Sequence, residues 1–168
     1  MTIPSSLVIR MAIQSDLPAL TTIYNQAILA HQTADTIPYE VSGRQAWFDA
    51  HLDRKFPLYT VLLEHQIVGY ATLSKYRGGR PALKHVVETS YYLHQHFQGK
   101  GIGTHLLQFL LKKAKELGFK NAYALLLDKN IPSIGLLKKC GFQQWGHLPN
   151  IAEIDGEICG QYIFGKSL

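Results

Sequence analysis

The chain has 168 residues, 46% of them hydrophobic, with 17 Lys and Arg against 12 Asp and Glu for a formal charge of +5. That length and composition fit one domain with a real core, and two cysteines are too few for a disulfide framework. No apolar run approaches the length of a membrane span, the opening MTIPSSLVIR lacks a basic segment followed by a long apolar core, and no basic run is dense enough to single out nucleic acid. A cytoplasmic protein is expected, its positive charge as well suited to a small phosphorylated ligand as to a nucleic acid.

In chain order, residues 7–13 read as a first strand. Ser15 or Asp16 is placed to cap the next helix, with Pro18 tolerated in its first turn. Leu17, Leu20, Ile23, Tyr24, Ala27 and Ile28 give that helix a buried face. Residues 32–43 are irregular, and a second helix covers residues 44–52. Residues 59–63 and 67–74 form a hairpin around Glu64-His65-Gln66, a turn without the usual glycine. Arg77-Gly78-Gly79-Arg80-Pro81 is a loop, and the aromatic-rich run 88–93 is a strand. A helix follows over 102–117, its stripe made by Ile102, Leu106, Phe109, Leu110, Ala114 and Leu117, with Gly118 as its stop. Residues 121–127 form a strand, 131–139 a helix, and 142–147 and 158–164 the last strands, separated by polar and turn residues at 148–157. This order predicts an α/β fold, a mixed sheet with helices on both faces, in a single domain over 1–168.

The strand-to-helix junction Gln98-Gly99-Lys100-Gly101-Ile102-Gly103 carries the chemistry most directly. Three glycines and a lysine ahead of a helix can offer converging backbone N–H groups and a positive helix end to a phosphate. The order is neither GxGxxG nor GxxxxGK followed by Ser or Thr. On composition alone it is either a phosphate-binding turn or an ordinary tight turn.

Together with Asn130-Ile131-Pro132-Ser133 and Lys139-Cys140-Gly141-Phe142, this junction resembles the GCN5-related N-acetyltransferase superfamily, over residues 7–164. A closer similarity, to the phosphinothricin and methionine sulfoximine/sulfone acetyltransferase branch, rests on Ile23-Tyr24-Asn25, Trp47-Phe48, Val68-Gly69-Tyr70-Ala71, Val87-Glu88-Thr89-Ser90 and Gly146-His147-Leu148-Pro149. The resemblance implies a splayed cleft for acetyl-CoA and transfer of its acetyl group to the primary amine of a small molecule, with no metal. It implies main-chain contacts from Tyr92 and Leu93 near the thioester, Leu93 also serving the developing oxyanion. It further implies a pyrophosphate site at Gln98, Gly99, Lys100, Gly101, Ile102 and Gly103, and cofactor or loop-ordering roles for Asn130 and Ser133. Read from the residues alone, Asn130 is a helix cap and Ser133 a packing position.

By the same resemblance, Glu88 faces the acceptor as the base that takes the amine proton; its bland reading is an acid paired with Arg77, Arg80, Lys84 or His85. Relatives carry Tyr or His in the helix before the Gly-Phe motif, where this chain has Leu137, which cannot protonate a departing thiolate. The branch's Lys, Trp and Asp near the C-terminus are here Ile154, Ile158 and Gly160, which removes a fixed cation for an anionic acceptor. Eight histidines form no recognised metal motif. Tyr39 and Trp47 are expected near the acceptor. Trp47, Phe48 and the aromatic C-terminal strand offer area for a homodimer. The competing reading is a non-catalytic acyl-CoA-binding or sensing protein of the same fold.

Overall fold

The structure, a computed structural model, describes residues 6–78 and 80–168; Gly79 of the expected loop and the first five residues lie outside it. Seven strands form one sheet: β1 (Leu7–Met11), β2 (Leu58–Leu63), β3 (Gln66–Lys75), β4 (Val86–Leu93), β5 (Asn121–Leu127), β6 (Gln143–Ile154) and β7 (Glu157–Ser167). Their spatial order is β1-β2-β3-β4-β5-β7-β6. Every pairing is antiparallel except β4 with β5.

Four helices cover the two faces. α1 (Leu17–Leu29) and α2 (Gln45–Ala50) pack on one, where Leu20, Ile23, Ile28 and Phe48 meet Leu58 and Tyr70. α3 (Ile102–Glu116) and α4 (Ile131–Lys139) pack on the other, where Leu106, Leu107, Leu110 and Leu137 meet Val61, Leu73, Val87 and Ala122. The two-residue period of the strands divides the side chains between these cores. Thus Glu88, Ser90 and Tyr92 of β4 turn toward α1 and α2, and Thr89, Tyr91 and Leu93 toward α3 and α4.

Several local expectations are corrected. Neither Ser15 nor Asp16 caps α1 through its side chain. Asp16 instead reaches backward, accepting from the Ile13 N–H at 3.0 Å, from Thr60 Oγ1 at 2.9 Å and from both Arg10 terminal nitrogens at 2.7 and 2.9 Å. α2 is shorter than expected, because residues 41–44 form a separate 3-10 turn. The β2–β3 turn works without glycine because Glu64 and His65 both adopt positive φ, 50° and 69°, the conformation a two-residue hairpin turn demands. The polar stretch 148–157 is not a break: β6 and β7 run through it as one long hairpin closed by Asp155-Gly156, both at positive φ. A register shift between Leu148 and Ala152 takes up Pro149 on this edge strand. Phe48, one of the aromatics that could serve either interface or core, is core, and Trp47 packs against the same cluster. Larger exposed apolar side chains lie on β6 and β7, at Trp145, Leu148, Ile151 and Ile158.

Asp16 ties β1, β2 and the entry to α1 together. Burial by itself would push its carboxyl up, but the bonds from Arg10, the Ile13 N–H and Thr60 outweigh burial and hold it below its ordinary value of 3.8. A carboxyl so depressed stabilises the fold above its unfolded pKa, and that contribution is lost as pH falls through the folded value. Asp16→Asn should therefore cost about 2 kcal/mol at neutral pH, the half-exposed Arg10 discounting the full cost of a broken buried pair. Urea unfolding of both proteins across the acid range checks this: the gap should close as the wild-type carboxyl protonates.

Candidate active site

β4 and β5 pair over three positions, Val86 with Asn121, Val87 with Ala122 and Glu88 with Tyr123. Beyond Glu88 they separate. β4 stays with β3 as far as Leu93 opposite Gly69, and β5 stays with β7 as far as Leu127 opposite Gln161. Thr89 Oγ1 donates to Tyr123 O at 3.0 Å at the apex of the resulting wedge. The His94 N–H donates to Val68 O at 2.9 Å, so even-numbered residues of β4 address β3. By alternation, the N–H groups of Tyr91 and Leu93 turn into the wedge, where β5 no longer meets them. The Leu93 carbonyl accepts from Gln98 Nε2 at 3.2 Å, bracing the glycine turn against the strand end.

The wedge opens into a cavity of about 620 Å³, walled by residues 89–93 of β4 and 124–126 of β5 and closed by the start of α3 and one side of α4. Gly99 and Gly101 have φ of +73° and +82°, and a β-carbon on either would meet nothing within 4 Å. These glycines supply a left-handed backbone and leave an unobstructed approach to the first N–H groups of α3, which lack intrahelical partners. Gly103 has a different reason: a β-carbon there would come within 3.1 Å of Leu136, so it permits α3 and α4 to close together.

The expected residues do not all serve alike. Gln98, Gly99, Gly101, Gly103, Tyr92, Leu93, Asn130 and Ser133 line this cavity, but the Tyr92 backbone faces Tyr70 of β3, so the main-chain contact expected of it falls to Tyr91 instead. Ile102 puts its side chain into the core, leaving only its backbone for the turn. Lys100 does not line the cavity and stands 5.1 Å from the Phe97 ring. Asn130 caps α4, its Oδ1 accepting from the Ser133 N–H at 3.2 Å, while its amide donates to Gln32 O at 3.1 Å across the cleft. Ser133 Oγ lies 2.6 Å from the Tyr91 hydroxyl; burial pushes that phenol's pKa well up. Leu137 is fully buried in the core yet borders the same cavity.

A second cavity, about 400 Å³, lies on the α1–α2 side of β4 and shares Ser90 and Tyr92 with the first. Glu88 stands in it, accepting a 2.7 Å hydrogen bond from the Tyr123 hydroxyl; burial, then this bond, raises the Tyr123 pKa. None of the expected ion-pair partners of Glu88 engages it among the described residues. Tyr39 and Trp47 line the cavity, with Tyr24, Asp35, Arg44, His51 and Tyr70, which the sequence reading did not single out for it. Tyr24 donates to Asp35. His51 donates from Nδ1 to Trp47 O at 2.8 Å, so its Nε2 accepts from Ser74 at 3.1 Å; burial, helped by the charge of Arg44, outweighs the bond to Trp47 and holds its pKa below the ordinary value of 6.5, favouring the neutral ring. The spacing of Arg44, Trp47 and His51 by three and four was the available signal, since it sets all three on one helical face.

Arg44 is 5% exposed. Its guanidinium carbon sits 4.1 Å from the centre of the Tyr24 ring and 3.8 Å from that of Trp47. Nη2 makes a long 3.4 Å contact with the Tyr70 hydroxyl, and Nε has no partner.

Near the C-terminus, Ile154 is buried against Leu127 and Cys159. At Gly160 a β-carbon would fall 2.5 Å from both Asp128 Oδ2 and His147 Nε2. Asp128 occupies that space, accepting from the Gly160 N–H at 2.9 Å and contacting His147 at 3.1 Å. Among the described residues no cluster of His, Cys, Asp and Glu could hold a metal ion, and no helix is long and apolar enough to cross a membrane.

Known proteins match this chain in sequence and in fold. The model of the acetyltransferase (GNAT) family covers residues 20–142. The chain belongs to that family. YwnH of Bacillus subtilis (strain 168) is 37% identical over 161 residues, spanning 95% of this chain and 98% of its own. The L-methionine sulfoximine/L-methionine sulfone acetyltransferase of Pseudomonas paraeruginosa is 33% identical over 148 residues, 86% of this chain and 85% of its own. The structure of a GNAT superfamily phosphinothricin acetyltransferase from Sinorhizobium meliloti, in complex with acetyl-CoA, superposes with a TM-score of 0.90 at 28% identity, covering 97% of this chain and 89% of that one. The GNAT fold of this chain and its kinship to the phosphinothricin and methionine sulfoximine/sulfone branch follow from these matches.

The wedge depends on a close approach of β3 to the end of β4. A β-carbon on Gly69 would lie 2.5 Å from Leu93 Cδ2 and 2.8 Å from Tyr92 O, and the second of these is backbone that cannot rotate away. Gly69→Ala should destabilise the protein by about 1–3 kcal/mol, the usual cost of overpacking, and speed hydrogen exchange at the Tyr92 and His94 amides, which face β3. Thermal unfolding with exchange mass spectrometry reads both effects.

Proposed function

We propose that this chain transfers the acetyl group of acetyl-CoA directly to the primary amine of a small acceptor, possession of two cavities that meet at Ser90 and Tyr92 being the observation that carries the reading. The cofactor is assigned to the larger cavity. Backbone N–H groups at the start of α3, reached past Gly99 and Gly101, receive its pyrophosphate. The inward N–H groups of Tyr91 and Leu93 hold the acyl arm, Leu93 also donating to the carbonyl oxygen as charge develops there. The acceptor enters the smaller cavity, where Glu88 takes the ammonium proton directly or through one water, and the free amine attacks the thioester carbonyl. The amide bond forms as the carbon–sulfur bond breaks. With Leu137 in the core, the Tyr91–Ser133 hydroxyl pair is the hydrogen-bond donor we assign to the departing thiolate.

The buried Leu137 also favours a second reading, an acyl-CoA-binding protein without chemistry. An amine screen with acetyl-CoA, following free-thiol release and product mass, separates the two: binding without turnover supports the second. We further propose a homodimer, for which the exposed apolar side chains of β6 and β7 supply area; sedimentation over a concentration series should show it, and a fully active monomer at high micromolar concentration argues against it.

Gly101→Asp places a side chain and a negative charge where the pyrophosphate is assigned. Calorimetry should show acetyl-CoA affinity reduced by about tenfold or more, and unchanged affinity in a folded variant would remove the assignment. Glu88→Gln keeps the shape and removes the base. Turnover should fall by about a hundredfold with acetyl-CoA binding retained, the loss being greatest below the pKa of the acceptor amine. Unchanged turnover with chemistry rate-limiting would leave Glu88 a structural role.

A further inference from the structure

Arg44 is a buried cation without a counter-ion. Among the described residues no carboxylate pairs with it, and its Nε is the buried side-chain polar atom left without a partner. Faces of Tyr24 and Trp47 hold the guanidinium plane and offset part of its desolvation. They leave Nε without a partner and Nη2 with only the long contact to Tyr70, so the in-plane N–H fork keeps donor capacity, and that fork is what recognises a planar oxyanion. The residue borders the same cavity as Glu88. Two carboxylates, Asp35 and Glu88, line this cavity, and its other basic side chain, His51, favours its neutral form. Such a wall repels a multiply charged anion and suits a zwitterion, whose ammonium meets the carboxylates and whose single negative charge meets Arg44. Ile154 is packed away against Leu127 and Cys159, and that position supplies no second cation.

We infer that Arg44 is the specificity-determining residue of the acceptor cavity, binding the carboxylate of an amino-acid-type acceptor whose amine is presented to Glu88. This rests on the acetyltransferase reading given above. The Arg44 guanidinium, stacked between two rings, acts as a fixed fork, so acceptors lacking the carboxylate leave it unpaired and are selected against.

The test compares L-methionine sulfone with 3-(methylsulfonyl)propylamine, the same side chain without the carboxylate, on the wild type, Arg44→Met and Arg44→Lys. The wild type should prefer the amino acid in kcat/KM by about 30-fold or more. Arg44→Met should abolish that preference, chiefly through KM for the amino acid, and Arg44→Lys, which keeps the charge but not the fork, should fall between. Equal losses on both acceptors, or a preserved preference in Arg44→Met, overturn the inference. Should Arg44→Met fail to fold, calorimetry on the wild type with saturating CoA decides: L-methionine sulfone must bind and the decarboxylated amine must bind at least tenfold more weakly. Equal binding, or none by the amino acid, overturns the role of Arg44. Turnover of neither compound by a wild type that binds the amino acid selectively fails the transferase reading while sustaining the carboxylate site.

Discussion

The separation of β4 from β5 after Glu88 is the constraint on which the rest of the site depends. Parallel strands normally satisfy each other along their length, and here they do so for three positions. From Thr89 onward each is held by its other neighbour, β4 by β3 and β5 by β7. Backbone groups are left facing an opening, a cost tolerated in a fold only where a ligand or water answers them. The same divergence makes the cavity, directs the inward N–H groups of β4 toward it, and leaves Glu88 at the last paired position, beside the apex. Side chains of β4 then alternate between two compartments. A single strand thus walls both cavities, one on each of its faces.

Two buried charges on the α1–α2 side show how differently the fold treats structure and function. Asp16 is closed off by Arg10, Thr60 and the Ile13 N–H, and this complete set of partners fixes the start of the sheet. Arg44 has aromatic faces but no carboxylate. A buried charge of the first kind stiffens a fold; one of the second kind keeps hydrogen-bonding capacity that the fold itself does not answer. Conformational fit follows the same logic at glycines. Gly69 and Gly160 are there because neighbouring atoms occupy the place of a β-carbon, whereas Gly99 and Gly101 open onto empty space.

Much of the architecture was legible because it is written at short range. The apolar stripes of residues 17–28 and 102–117, the strand alternation, and the Gly-x-Gly-x-Gly spacing before α3 are periodicities that survive in any local window. The long β6–β7 hairpin was misread because Pro149 and its polar neighbours suggested a break, while Asp155-Gly156, a strong hairpin turn, went unweighted. Asp16 was placed as a cap, the commonest use of an aspartate there; its actual partners include Thr60, 44 residues away in the chain.

By itself the sequence determined the α/β order, the glycine-rich helix start and a carboxylate at position 88, because each depends on residue type and local spacing. Only the tertiary structure decided that Glu88 is held by Tyr123 and stands with Arg44, Trp47 and His51, and that Asn130, read as a cap from its position, also bridges to Gln32. It also decided that Leu137, packed in the core, borders the larger cavity. These are long-range contacts set by how the sheet splays and how helices pack on its two faces, and no local pattern of side chains encodes the angle at which two strands part.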